Sequence, residues 1–378
     1  MSKVNLTIDG IKVSVEEGST ILEAAKKAGV KIPTLCHLPE IQSIGACRMC
    51  LVEIEGSSKL QCACMYPVSE GMVIKTNTPA VHKARKFVLE LILSNHPADC
   101  LTCIRNGNCE LQKLANELGL REIHYSGERP KARVDSSNPC IIRDTEKCIL
   151  CRRCVSVCHE IQGVGVIFPQ KRGFETAIAP PFDLDLEDMP CTFCGQCLAV
   201  CPVGALYEKE YIDQIWQAIN DPEKFVIVQT APAIRATIGE EFGLEAGTRC
   251  TGKLAAALRR MGFDKVFDTQ FGADLTIVEE ANELVYRMKK GGTLPMMSSC
   301  CPAWIKFAEH FYPDLLDHLS TCKSPQQMFG AVAKTYYAEK IGIPAEKMFV
   351  VSVMPCTAKK FEAQRDEMAS SGQRDVDA

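Results

Sequence analysis

Two runs of cysteines share one spacing, C-x2-C-x2-C-x3-C, at residues 148–158 and 191–201. The chain holds 22 cysteines in 378 residues, and they occur in clusters. Disulfides are rare in reducing compartments, so metal binding is the better explanation for so many thiols. Thiolates at this spacing are typical ligands of [4Fe–4S] clusters. We therefore expect residues 130–210 to form a loop-rich repeat of short metal-binding units.

Charge and hydropathy exclude several classes of protein. The net charge of −4 gives no reason to expect a nucleic-acid partner. The first residues, MSKVNLTIDG, lack the apolar segment of a signal peptide, and no apolar run approaches the ~20 residues that a membrane span needs. We therefore expect a cytoplasmic protein with no membrane span.

The two matching runs predict two clusters, each of which takes three ligands from one run and its fourth ligand from the other. In two-cluster ferredoxins, the fourth cysteine of each run binds the other cluster. The first cluster would then take Cys148, Cys151, Cys154 and Cys201, and the second would take Cys191, Cys194, Cys197 and Cys158.

A further ligand set precedes these runs, with one histidine and three cysteines in the pattern H-x3-C-x2-C-x5-C. Its members are His96, Cys100, Cys103 and Cys109. On its own this pattern suits a Cys3His zinc site as well as a [4Fe–4S] cluster. Because iron–sulfur segments flank it on both sides, we expect a [4Fe–4S] cluster.

The N-terminal segment predicts a small β-grasp domain that holds a [2Fe–2S] cluster. Alternating strands flank Asp9-Gly10, a hairpin signal, and Thr20 and Glu23 have the spacing of a capping box at the start of a helix. Thr78 is expected to cap a second helix. The candidate ligands are Cys36, Cys47, Cys50 and either Cys62 or Cys64. A zinc ribbon is the alternative, although the third and fourth ligands do not form a second tight pair.

The region after residue 221 has an α/β pattern. Strand-like stretches FVIVQTA, KVFD, LPMMS and MFVVSVMP alternate with helical ones such as EEANELVYRMKK and WIKFAEHFY. Residues with reactive or unusual side chains fall where strands end, which is the usual ligand-binding edge of an open sheet. The expected domains are 1–80 (β-grasp, [2Fe–2S]), 81–125 (helical, His/Cys3), 138–210 (two [4Fe–4S] clusters) and 222–378 (α/β).

Several segments of the C-terminal region resemble the iron-only ([FeFe]) hydrogenases in their larger form with accessory clusters. SSCCPAW and VMPCTAKKFEA resemble two active-site motifs of that family, and QTAPAIRA, FGADLTIVEEANEL and KSPQQMFG resemble its supporting segments in the same order. Near the N-terminus, CMYPVSEGM resembles the fourth-ligand segment of the ferredoxin domain in the large iron–sulfur subunit of respiratory complex I. That likeness favours Cys64 over Cys62 as the fourth [2Fe–2S] ligand.

The resemblance implies an H-cluster, a [4Fe–4S] cubane joined to a diiron unit with carbonyl, cyanide and dithiolate ligands. Cys301 and Cys356 would bind the cubane, and Cys300 would remain a free thiol that passes protons. The implied proton path runs through Glu280, Ser320 and Glu283 to Arg287 near the surface. Lys359 would point at a cyanide, and the implied pocket-lining residues are Pro232, Gln326 and Met354.

The chain also departs from the family pattern. The third motif, Glu-x3-Cys-x3-Cys, is absent, and no cysteine follows Cys356. Three explanations of the missing motif remain open. The chain could be a fragment, a split enzyme completed by another chain, or an electron relay without hydrogen chemistry. Ala233 replaces a serine of several relatives, and Cys140, Cys250 and Cys322 match no ligand position.

The expected activity is therefore reversible H2 oxidation and proton reduction. Its partners would be ferredoxin or flavin- and NAD(P)-binding subunits, together with the enzymes that mature the H-cluster. The expected cofactors are one [2Fe–2S] cluster, three accessory [4Fe–4S] clusters and the H-cluster if its site is completed. The alternative function is a non-catalytic iron–sulfur electron-transfer subunit like the arm of complex I.

Overall fold

The computed structural model describes residues 2–126, 128–129 and 133–378, and the chain forms two compact units. The first unit contains the chain up to Ser137 together with Ile142–Met189 and Gln196–Tyr207. The second unit contains Asn138–Ile141, Pro190–Gly195 and Glu208–Ala378. Short pieces of the cysteine-rich region therefore belong to the second unit.

The first unit opens with a five-stranded sheet in the order β2-β1-β5-β3-β4. Its elements are β1 (Lys3–Ile8), β2 (Ile11–Glu16), α1 (Ile21–Lys27), β3 (Leu51–Ile54), β4 (Gln61–Cys62) and β5 (Val73–Lys75). Asp9 and Gly10 connect β1 to β2 with φ angles of 48° and 84°, the positive values of a type I′ hairpin turn. The Thr20–Glu23 capping box is present in full, which confirms the predicted helix start.

The rest of the first unit consists of one 16-residue helix and shorter elements joined by loops. They are α2 (Pro79–Ser94), α3 (Glu110–Glu117), β6 (Val134–Asp135), β7 (Ile141–Asp144), α4 (Arg153–Ser156), β8 (Phe168–Gln170), β9 (Ala177–Ala179), α5 (Gln196–Ala199) and β10 (Leu206–Glu208). A π-helical turn, Val157–Ile161, continues α4. Thr78 accepts a hydrogen bond from the N–H of Val81, which confirms it as the cap of α2.

The second unit is built on a three-stranded parallel sheet in the order β12-β11-β13. Its elements are α6 (Ile212–Asn220), β11 (Phe225–Thr230), α7 (Ile234–Thr237), α8 (Thr251–Met261), β12 (Lys265–Asp268), α9 (Gln270–Lys290), α10 (Pro302–Phe311), α11 (Pro325–Val332), α12 (Ala338–Ile341), β13 (Met348–Val353) and α13 (Ala358–Glu362). Thr230, Asp268 and Val353 end their strands in register, so the segments that follow all begin at one edge of the sheet.

One predicted strand is wrong. LPMMS (294–298) forms no strand, because Pro295 has no N–H to donate and, among the described residues, the segment pairs only through Met297. Met297 donates its N–H to the carbonyl of His318 and accepts from the N–H of Ser320, both at 2.7 Å. This single bridge fixes the position of the segment that leads to the paired cysteines.

Among the described residues, none of the helices combines the length and apolar character that a membrane crossing needs.

Candidate metal centres and active site

Four cysteines of the N-terminal domain lie in two close pairs. The Sγ atoms of Cys50 and Cys64 are 3.4 Å apart, and the N–H of Cys47 donates to the Sγ of Cys36 at 3.5 Å. Leu35 donates its N–H to the Sγ of Cys47 at 3.4 Å. Backbone N–H groups directed at sulfur stabilise thiolates, so this donor set fits a [2Fe–2S] cluster.

Cys62 has a different environment from Cys64. Its Sγ accepts a hydrogen bond from Nη1 of Arg48 at 2.9 Å. Burial raises the pKa of the Cys62 thiol, although the nearby Arg48 guanidinium opposes this effect. The structure thus pairs Cys64 with another candidate ligand and pairs Cys62 with a cation.

Cys148, Cys151, Cys154 and Cys201 line one cavity of the first unit. Burial raises the pKa of Cys148 to about 11 and that of Cys151 to about 12, and it also raises the pKa of Cys154. Buried thiols gathered round a cavity fit a [4Fe–4S] cluster, whose irons would bind them as thiolates. Among the residues that the structure describes, no three His, Cys, Asp or Glu side chains converge closely enough to form a single-ion site.

The backbone between these cysteines is strained. Leu150 and Arg152 have φ angles of 55° and 62°, in the left-handed region that residues other than glycine seldom adopt. Strain of this kind persists where the surrounding structure enforces it, commonly at functional sites. Here it bends the chain so that successive cysteines face the same cavity.

His96 has the properties of a neutral imidazole ligand. Its Nδ1 is buried and has no hydrogen-bond partner among the described residues, and burial lowers the pKa of the ring. A buried imidazole nitrogen with no partner is costly in a protein interior, and a metal ion or cluster would satisfy it. Cys100 is exposed, Cys103 and Cys109 are half-buried, and Cys109 directly precedes α3.

An ion pair ties this segment to the neighbouring cavity. Arg153, which is buried, donates to both carboxylate oxygens of Glu110 at 2.7 and 3.0 Å. Glu110 follows Cys109, and Arg153 precedes Cys154. The bidentate geometry fixes the register of the two segments.

The four residues predicted for the second cluster divide between the units, with Cys158 and Cys197 in the first and Cys191 and Cys194 in the second.

In the second unit, Cys300 is linked to a carboxylate through a serine. The hydroxyl of Ser298 lies 3.8 Å from the Sγ of Cys300 and donates to Oε1 of Glu280 at 3.1 Å. Cys300 is exposed. The sequence prediction missed Ser298, although a small hydroxyl residue two positions before the thiol was a visible signal.

A second carboxylate network lies one turn further along α9. Arg287 donates to Oε1 of Glu283 at 2.6 Å, and Ser320 donates to Oε2 at 3.0 Å. Burial alone would raise the pKa of Glu283, but the Arg287 guanidinium, the N–H of Thr321 and the Ser320 hydroxyl together lower it below its ordinary value. Glu283, Ser320 and Arg287 are thus in contact. Among the hydrogen bonds of the described residues, none joins Glu280 to Ser320.

Lys359 lies between the cysteine motif and a buried carboxylate. Its Nζ donates to the backbone carbonyl of Cys300 at 2.9 Å and to Oε2 of Glu362 at 2.9 Å. Glu362 is buried, and Ser324 donates to the same oxygen at 2.9 Å. The i, i+3 spacing of Lys359 and Glu362 on one helix was the available sequence signal for this pair.

Four of the predicted residues line one cavity of about 190 Å³: Gln326, Met354, Cys356 and Lys359. Met354 and Cys356 follow β13, and Pro232 follows β11, so they lie at the carboxyl edge of the parallel sheet. Pro232 is exposed, whereas Gln326 is buried and donates to the carbonyl of Lys359 at 3.3 Å. Cys301 is exposed and directly precedes α10.

A cysteine-rich loop and the second active-site motif are in contact within the second unit. The hydroxyl of Thr357 donates to the carbonyl of Phe193 at 2.7 Å. The rings of Phe193 and Phe361 lie 5.4 Å apart, and the Nζ of Lys306 lies over both rings. The segment that carries Cys191 and Cys194 therefore packs against the segment that follows Cys356.

Four family models match successive parts of the chain. These are a 2Fe-2S iron-sulfur cluster binding domain (residues 1–79), the NADH-ubiquinone oxidoreductase-G iron-sulfur binding region (85–124), a 4Fe-4S dicluster domain (147–205) and the C-terminal domain of the iron only hydrogenase large subunit (224–378).

Two curated relatives match along almost the whole chain. The NADP-reducing hydrogenase subunit HndD of Solidesulfovibrio fructosivorans is 55% identical over 100% of this chain and 66% of its own length. Iron hydrogenase 1 of Clostridium pasteurianum is 43% identical over 99% of this chain and 65% of its own length. The chain thus spans slightly less than two thirds of these relatives.

Among solved structures, an NAD+-reducing [NiFe]-hydrogenase in the H2-reduced state is similar with a TM-score of 0.52 and 30% identity. The match covers 56% of this chain and 89% of that chain.

Proposed function

We propose that this chain, which belongs to the iron-only hydrogenase family in its form with accessory iron–sulfur domains, interconverts H2 with protons and electrons. The observation that carries the proposal is the contact of Cys300 with Ser298, whose hydroxyl donates to Glu280, beside the network around Glu283. A free thiol near hydrogen-bonded carboxylates is suited to proton transfer. A purely structural cysteine needs no such neighbours.

Cys301 and Cys356 would hold the cubane of the H-cluster, and the polarised diiron unit would supply the chemistry that splits and forms H2. The protein's task is then to position that group and exclude water from it. Lys359 keeps its ammonium at the Cys300 backbone by pairing with Glu362, and the cavity lined by Gln326 and Met354 supplies the surrounding wall.

Protons would pass between Cys300 and Glu280 through the hydroxyl of Ser298, which is able to accept and donate in turn. Glu283 lies further along the path. Its lowered pKa keeps the carboxylate ionised, so it would hold a transferred proton only briefly before passing it on, and Arg287 holds the side chain in place. Transfer from Glu280 to Ser320 would need a bridging water or a rotamer change.

Electrons would reach the active site through four accessory clusters, one [2Fe–2S] in a β-grasp domain and three [4Fe–4S]. The domains proposed for them are 1–80, 81–125 and 138–210, with the catalytic part at 222–378. The contact of Thr357 with Phe193 supports entry from the cluster that Cys191 and Cys194 would bind. The proposed partners are ferredoxin or flavin- and NAD(P)-binding subunits in the cytoplasm, together with H-cluster maturation enzymes.

The test is an infrared spectrum of the 378-residue chain produced together with the H-cluster maturation enzymes. Bands in the metal-carbonyl and cyanide region are expected, and Cys356→Ala should abolish them. Cys250→Ala is the matched control, because it removes a buried thiol that matches no ligand position. A spectrum without such bands, from protein whose accessory iron is in place, would refute catalysis by this chain.

A second candidate function is electron transfer without hydrogen chemistry. Residues 85–124 match a region of NADH-ubiquinone oxidoreductase-G, so an array of this kind is not confined to hydrogenases. This candidate predicts iron–sulfur clusters that can be reduced, together with an infrared spectrum that has no metal-carbonyl or cyanide bands. The same infrared sample, examined also by EPR spectroscopy, separates the two functions.

A further inference from the structure

Gln42 lies buried between two of the proposed cluster sites and is a ligand of neither. Only 6% of the residue is exposed. Its Nε2 donates to the backbone carbonyl of Cys36 at 2.6 Å and to that of Cys151 at 2.9 Å. Cys36 is a candidate ligand of the [2Fe–2S] cluster, and Cys151 is a candidate ligand of the first [4Fe–4S] cluster.

The orientation of this amide is fixed by its partners. The two backbone carbonyls only accept hydrogen bonds, so the NH2 group must face them. The opposite atom, Oε1, accepts a hydrogen bond from the hydroxyl of Ser156 at 2.6 Å. Both N–H groups and the carbonyl oxygen are thus engaged, as expected for a buried amide. Such a side chain has one defined position.

We propose that Gln42 is the electron-transfer bridge between the [2Fe–2S] cluster and the first [4Fe–4S] cluster. This inference rests on the ligands assigned under the proposed function. The route leaves the Cys36 sulfur through its own backbone carbonyl, crosses Nε2 of Gln42, and reaches the Cys151 sulfur through the second carbonyl. It consists of covalent bonds and two hydrogen bonds, and electron tunnelling decays less steeply along such a route than across empty space.

The electron balance of the step is simple. One electron leaves the reduced [2Fe–2S] cluster, which is oxidised, and enters the oxidised [4Fe–4S] cluster, which is reduced. No bond forms or breaks and no proton moves.

Three variants separate electron coupling from structural support. Gln42→Met keeps the length of the side chain but removes both N–H groups. Gln42→Asn keeps the amide on a side chain one methylene shorter, which prevents it from spanning both carbonyls. Ser156→Ala is the matched control, because it removes the third hydrogen bond of Gln42 and leaves the two that form the route.

The experiment reduces the full chain, with its iron–sulfur clusters assembled, by a pulse of a photochemical one-electron reductant. Rapid-freeze EPR spectroscopy then follows the exchange of the electron between the two clusters. We expect a several-fold slower exchange in Gln42→Met and Gln42→Asn, with unchanged reduction potentials and iron content, and a near-native rate in Ser156→Ala. The Asn variant keeps the test decisive if the Met variant assembles poorly.

Two results would refute the proposal that Gln42 couples the two clusters. One is an exchange rate in both Gln42 variants equal to that of the native chain. The other is a slower exchange that a shifted cluster potential explains completely, because Gln42 would then tune a cluster without coupling the two. If the native chain gives neither cluster signal, the ligand assignment itself fails, and the bridge fails with it.

Discussion

Replacing Gly195 by alanine tests whether the cysteine loop and the second active-site motif are packed as tightly as the structure shows. Gly195 has a φ angle of +75°, and a Cβ atom there would lie 2.5 Å from Oγ1 and 3.1 Å from Cγ2 of Thr357. The left-handed backbone costs an alanine about 1–2 kcal/mol. Overpacking of this kind adds about 1–3 kcal/mol, so Gly195→Ala should destabilise the second unit by about 2–5 kcal/mol.

Urea unfolding followed by tryptophan fluorescence suits this measurement, because both tryptophans, Trp216 and Trp304, belong to the second unit. Gly342→Ala is the matched control: its φ is +69°, but beyond its immediate chain neighbours no atom of the described residues lies within 4 Å of the added Cβ, so only the backbone effect of about 1–2 kcal/mol applies.

A double-mutant cycle isolates the contact itself. Thr357→Ala deletes the two atoms that the new methyl group meets most closely, so the double variant Gly195→Ala/Thr357→Ala should recover the steric part of the loss. Tight packing at Gly195 is refuted if Gly195→Ala loses no more stability than Gly342→Ala, or if the double variant shows purely additive losses.

Three further results are expected. Cys64→Ala should abolish the EPR signal of the reduced [2Fe–2S] cluster while Cys62→Ala retains it; the opposite outcome would exchange their roles. Arg287→Met should raise the lowered pKa of Glu283, as measured by isotope-edited infrared spectroscopy during a pH titration. Because a depressed carboxyl pKa stabilises the fold at higher pH and this contribution is lost as the pH falls through the folded value, the same variant should flatten the acid side of the stability curve. Lys359→Met should destabilise the second unit by about 3–5 kcal/mol in urea unfolding, because its buried carboxylate partner loses its cation; a loss below about 1 kcal/mol would contradict this.

Elements with local signals were predictable from the sequence. The Asp9-Gly10 turn, the capping box at Thr20 and the cap at Thr78 each depend on residues within a few positions, and the structure has all three. The failure at LPMMS has two causes: Pro295 has no N–H to donate, which the sequence shows, and pairing depends on distant residues, which it does not show. An apolar stretch becomes a strand only when another strand is available to pair with it, and the sequence does not reveal which partners are free.

In the candidate sites, too, features that depend on nearby residues were predictable from the sequence, and features that depend on distant partners were not. Cysteine spacing indicates which thiols bind clusters, because most ligands of one cluster lie close together along the chain, while the fourth ligand of each proposed [4Fe–4S] cluster comes from the other run. The position of Ser298 two residues before Cys300 was a signal in the sequence, but its hydrogen bond to Glu280 was not predictable, because folding brings the two residues together. The role of Gln42 was not predictable for the same reason. Gln42 has no motif around it, and its importance appears only when the positions of Cys36 and Cys151 are known.

The division of the chain into compact units has a consequence for how such proteins are assembled from modules in evolution. Pro139 and Cys140, which belong to the cysteine-rich region, accept hydrogen bonds from Tyr211 and Lys209 of the second unit. Phe193 is buried there as well. A gene rearrangement that transferred the cluster-binding array alone to another protein would leave these segments without their packing partners. The cluster-binding region could therefore function in another protein only if that protein provided a surface on which these segments can pack.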